Sequence, residues 1–129
     1  MSGDFEANLW RQFGAPDPDG DYVWWVSQNA NEIGEFSLNF ARNRDTEIDD
    51  AMNAGRETDD LDARKEAYAT VQERLNEDLP YIWLNHTLWA MIADNSVRDI
   101  GVTTLPDGDA GLGIVNGATR LTEVWRVED

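Results

Sequence analysis

Residues 60–84, DLDARKEAYATVQERLNEDLPYIWL, dictate one long helix, a stop, and a change of conformation. Ala67, Tyr68, Val71 and Leu75 recur at helical spacing, and Ala63 and Leu79 extend the same stripe. Arg64, Lys65, Glu66, Glu73, Arg74 and Glu77 fill most of the other face, where partners three or four residues apart can pair. Asp59, Asp60 and Asp62 place negative charge where a helix start exposes its amides. Pro80 disfavours helical geometry at Leu79 and ends the element. Tyr81, Ile82, Trp83 and Leu84 are too few for a helix and rich in strand formers, which predicts a buried strand. About 18 helical residues reach roughly 27 Å, enough to carry the chain across a small domain.

The rest of the composition narrows the classes of partner. With 129 residues the chain suits one domain that buries about two thirds of its unfolded surface. Ten Lys and Arg against 26 Asp and Glu leave a net charge of −16, which repels nucleic acid and anionic membranes. The sequence has no cysteine, so disulfides, zinc-thiolate sites and cysteine nucleophiles are excluded. No stretch approaches the roughly 20 apolar residues of a membrane span, and the first residues lack the pattern of a secretion signal. MSG running straight into DFEANLW reads as a start imposed on a longer protein, so a piece of a larger chain is expected.

Residues 4–13 alternate loosely and predict a strand, closed by the turn-rich GAPDPDGD. An aromatic cluster follows, Tyr22-Val23-Trp24-Trp25-Val26, and then the polar loop SQNANEIGE, with Ser37-Leu38-Asn39-Phe40 a short extended piece. Asp45 or Thr46 is placed to cap a first helix through Ile48, Ala51 and Met52 to about Gly55. After the strand at Tyr81, a turn at NHT and the run Leu88-Trp89-Ala90-Met91-Ile92 predict a hairpin. Short apolar groups between glycines make up the tail from Gly101.

Asp17, Asp19 and Asp21 alternate, but a helix-loop-helix calcium site counted from Asp17 would need glycine and glutamate where Tyr22 and Gln28 stand. An acidic surface turn is the simpler reading, and no metal or cofactor is expected. His86 is the only histidine, and no nucleophile-elbow motif accompanies it. Trp10, Phe13, Trp24 and Trp25 are each most simply core residues, yet as a group they could line a ligand cleft. In a strand, adjacent Trp24 and Trp25 would point to opposite faces, leaving one of them for a second surface.

Three segments together resemble the C-terminal portion of family 5 extracellular solute-binding proteins, the peptide, nickel and oligosaccharide receptors of ABC importers. They are GDFEANLWRQFGAPDPD, SLNFARNRDTEIDDAMNAGRETDD and LDARKEAYATVQERLNEDLPYIWL, with Arg64, Tyr68, Gln72, Leu75, Asp78 and Pro80 carrying the last match. The resemblance spans about residues 3–100 and implies an α/β protein, or α+β as an isolated piece, from a two-lobe periplasmic-binding-protein type II fold. It implies that residues 1–79 belong to the second ligand-binding lobe and that residues 80–129 cross the hinge and return to the first. Peptide-binding members carry an aspartate three residues before the Asp-Pro pair, whereas that position here is Gly14. An uncharged or bulkier solute is therefore as well suited as a free peptide amine.

The reading that follows is a non-enzymatic, extracellular or periplasmic binding module, membrane-anchored in its full-length form. It would take peptide or another small solute by hinge closure and deliver it to an importer permease. The expected cleft residues are Phe13, Gly14 and Asp17, Trp24 or Trp25, and Asn85 and His86. The rivals are a hydrolase using His86 with Asp94, and a protein-interaction domain with an exposed Trp. Copies of the isolated piece are expected to associate.

Overall fold

The computed structural model describes residues 2–11, 15–86, 88–105, 107–111, 113–114, 119 and 121–127. It is a small mixed structure of helices and a two-stranded sheet, an α+β piece. The chain forms two compact units, residues 1–84 and 85–129.

The first unit is built on two helices, α2 (Thr46–Glu57) and α3 (Leu61–Asp78). Both begin as their acids dictate. Asp45 accepts hydrogen bonds from the Glu47 and Ile48 amides, and Asp60 from those of Asp62 and Ala63. Each cap satisfies amides that the first helical turn leaves without partners.

Only three residues separate the helices, and contacts at both ends make them antiparallel. The Arg74 Nε near the end of α3 donates to Asp45 at the start of α2, 2.8 Å away. At the opposite end Arg64 donates to the Gly55 carbonyl at 2.9 Å. Ile48, Ala51 and Met52 meet Tyr68, Val71 and Leu75 to form the core, joined by Val26. Burial of a side chain such as Ile48 or Met52 contributes about 1.5–3 kcal/mol.

Gly55 is not the end of its helix, which runs on to Glu57. Its role is packing: a Cβ built there would lie 2.8 Å from Cζ of Tyr68. At the other end of α3, Leu79 does not extend the apolar stripe. It turns left-handed at φ 47° and is 62% exposed, because Pro80 disfavours the helical alternative.

Ahead of α2, a 3-10 turn (Pro18–Asp21) leads into the short helix α1 (Tyr22–Trp25). The loop beyond α1 is held by Asn39, 1% exposed, whose Nδ2 shares its hydrogens among the carbonyls of Trp25, Val26 and Asn43. Its Oδ1 accepts from the Asn43 amide.

The second unit pairs β1 (Val97–Arg98) antiparallel with β2 (Trp125–Arg126), Val97 opposite Arg126 and Arg98 opposite Trp125. Trp125 Nε1 donates to Asp99 at 2.7 Å beside this ladder.

Among the described residues, the three predicted strands do not form. Residues 4–11 form no strand, and Leu9 is 80% exposed. Residues 81–84 and the described residues 88–92 are likewise irregular, so the predicted hairpin does not form. Ile82, Leu84, Leu88 and Ile92 are exposed rather than buried. Strand propensity expresses fit to a paired, half-buried surface, and these segments have no ladder partner among the described residues.

Candidate functional site

The aromatic run forms a turn of helix, and that settles how its neighbouring tryptophans divide. Successive residues of an α-helix point about 100° apart, since 3.6 of them complete a turn. Trp24 packs against Phe40 with ring centroids 5.6 Å apart, and Phe40 also receives Trp10 edge-on at 4.8 Å. Trp25 turns to the other side, edge-on to Tyr81 at 5.2 Å and to Trp83 at 6.0 Å. Tyr81 and Trp83 lie 5.9 Å apart. Such pairs contribute roughly 0.5–1.5 kcal/mol beyond the area they bury.

Both groups are only partly closed. Phe40 is buried, whereas Trp10 is 44% and Trp83 57% exposed. Tyr81 is fixed by its hydroxyl oxygen, which accepts from the Ala41 amide at 3.2 Å, and burial pushes its phenol pKa up. The result is an uncharged ring surface that is only partly covered. Its chemistry is stacking and dispersion, suited to an apolar or planar portion of a solute.

Asp17 is held rather than free. Arg64 grips it bidentately, Nη1 to Oδ2 at 3.0 Å and Nη2 to Oδ1 at 2.7 Å, while Oδ1 also accepts from the Asp19 amide. The Arg64 guanidinium and that amide lower the carboxyl pKa. Asp19 pairs with Arg56 at 2.9 Å, and the Arg56 guanidinium lies 3.7 Å above the Tyr22 ring. The acidic loop is thereby stapled to the end of α2 and the start of α3. A solute contact at Asp17 would have to share its oxygens with Arg64.

No family model, curated protein or solved structure matches the chain.

Phe13 and Gly14 lie outside the described residues. Asn85 and His86 belong to the second unit, where both are exposed. The rival acid Asp94 accepts from the Ser96 amide in a local turn, which lowers its pKa, and no hydrogen bond links it to His86 among the described residues. Among the described residues no group of three or more His, Asp or Glu is placed to hold a metal ion. Nor is any helix there long and apolar enough to cross a membrane.

Phe40, Tyr81 and Trp83 complete the aromatic surface, and sequence reasoning did not single them out for it. The strand-forming run that holds Tyr81 and Trp83 predicts a buried strand instead. The signal was their aromatic character in an otherwise uncharged run after Pro80, but periodicity could not show that they return to α1.

Proposed function

We propose that the chain is the C-terminal part of a solute-binding component of an ABC importer, working outside the cytoplasm. Its task is to hold a peptide or related small solute until the two lobes of the complete receptor close and the permease accepts it. The observation that carries the reading is the half-open aromatic surface of Trp25, Tyr81 and Trp83. It offers ring faces without a charged group among them, as capture of an unreactive solute requires.

Two local features support the same reading by agreeing with the segments of resemblance. The acid expected to start the small-residue helix is Asp45, and the Asp-x-Pro pattern stands where α3 stops. Within the resemblance, Gly14 in place of an aspartate favours solutes held by stacking over those held by an ammonium clamp.

The test is transport in the source cell. Deleting the coding region should abolish uptake of at least one labelled oligopeptide or oligosaccharide, and a copy carrying Trp25→Ala with Trp83→Ala should restore less than about a tenth of it. Uptake of every solute unchanged by the deletion overturns the proposal. So does solute hydrolysis, rather than uptake, that disappears on His86→Ala.

A further inference from the structure

The pair α2 and α3 presents a second surface, away from the aromatic rings and independent of the transport reading. A shallow groove of about 460 Å³ runs between the two helices. From α2 it is lined by Glu47, Asp50, Ala51 and Ala54, which are the i, i+3, i+4 and i+7 positions of one helical stripe. From α3 it is lined by Ala63, Glu66, Ala67 and Thr70, which repeat the same spacing. Two antiparallel helices that offer matched stripes to a common groove leave the place that a third helix occupies in a bundle.

The side chains say what kind of helix fits. Four alanines and a threonine make a low floor, allowing close approach of another helix, where 8–10 Å between axes is usual. The charged positions are all acidic. Glu47 has Arg74 3.8 Å away, whereas Asp50 and Glu66 have no ion pair among the described residues. A second copy of the same groove would set acid against acid, and nucleic acid would be repelled.

We propose that the α2–α3 groove docks a cationic amphipathic helix of a partner protein, with small residues along its seam and Lys or Arg beside it. The seam fills the alanine floor, and the flanking cations meet Asp50 and Glu66. Charge complementarity sets orientation and encounter rate, and shape sets selection.

Two synthetic 21-residue helical peptides test this, both with an alanine seam, one flanked by lysines and one by glutamates. The lysine peptide should bind the 129-residue chain with a Kd on the order of 100 μM at low salt, and the glutamate peptide should not bind. Asp50→Asn with Glu66→Gln should weaken the lysine peptide about fivefold, while Asp4→Asn with Glu6→Gln, the same charge change outside the groove, should leave it unchanged. Ala54→Trp, an exposed position, should fill the groove and cost more than about tenfold. On the unmutated chain, alanine methyl resonances of residues 51, 54, 63 and 67 should shift on titration, which needs no variant to fold.

No binding of the lysine peptide overturns the proposal, as does equal weakening by both charge-removing pairs, which would mean attraction to the net charge alone. Methyl shifts confined to other residues also overturn it. So does sedimentation showing that the groove is filled by a second copy and freed by Ala54→Trp.

Discussion

A methyl group added to Gly55 would meet the Tyr68 ring, with Cζ at 2.8 Å and Cε2 at 2.9 Å. Alanine is the better helix former by about 1 kcal/mol, but the ring is core-packed and cannot swing away. The clash wins. Gly55→Ala should lower unfolding free energy by about 1–3 kcal/mol, measured by urea denaturation; an increase would show that the two helices are not packed closely at this point.

Asp45 works at the same scale, as helix cap and ion-pair partner at once. Burial alone would raise its carboxyl pKa, yet the Arg74 guanidinium and the Glu47 and Ile48 amides hold it below the ordinary 3.8. The folded state therefore binds this proton less readily than the unfolded chain. The corresponding stability is complete above the unfolded value and lost as pH falls through the lowered one. Asp45→Ala should cost about 1–2 kcal/mol at pH 7, and Asp45→Asn less because asparagine still caps. In both variants the fall of stability below about pH 4 should be shallower than in the parent. An unchanged acid profile in thermal melts would remove Asp45 from this account.

At the scale of elements, the starts of α2 and α3 and the end of α3 have identifiable causes. Leu79 takes a left-handed conformation, which costs an ordinary residue roughly 1–2 kcal/mol, and its exposure means that little packing would be lost with the side chain. Leu79→Gly should therefore raise stability by about 0.5–1 kcal/mol, read as a higher melting temperature. A lower one would mean that the Leu79 side chain anchors the chain after α3.

The two helices were legible because their signals are local. Asp45 and Asp60 precede apolar stripes, and Pro80 follows one. What holds the elements together was not legible, since Arg64 meets Asp17 from 47 residues away and Arg74 meets Asp45 from 29. Arg64 and Arg74 read as members of a solvated face, spaced to pair along their own helix. Asn39 reads only as part of a short extended piece, Ser37-Leu38-Asn39-Phe40, and its side chain clamps the loop beyond α1. Tyr81 and its neighbours form no strand because strand-forming residues become one only where a partner strand exists.

At the scale of the whole molecule, apolar exposure opposes charge. Leu79, Ile82, Trp83 and Leu84 of the first unit are all more than half exposed. Uncovered apolar surface of this kind favours association, while the net charge of −16 drives copies apart. At 0.15 M salt the Debye length is about 8 Å, and covering a single large side chain contributes about 1.5–3 kcal/mol. Association should prevail. Light scattering at physiological salt should give a mass well above 14.6 kDa that falls toward monomer as salt is lowered. A monomer at every salt and protein concentration would show that this apolar surface is not adhesive.

The central claim is that the rings of Trp25, Tyr81 and Trp83 form one side of a solute site completed by the other lobe. Isothermal titration of the 129-residue chain with di- to pentapeptides and neutral oligosaccharides, followed in parallel by tryptophan fluorescence, tests it most directly. One side of a site cannot gain from closure, so binding should be no tighter than about 1 mM, near 4 kcal/mol. The fluorescence change should vanish with Trp25→Ala and Trp83→Ala together. Micromolar affinity would contradict the shared site, and a fluorescence response unaltered by that double substitution would contradict the aromatic surface as the place of contact.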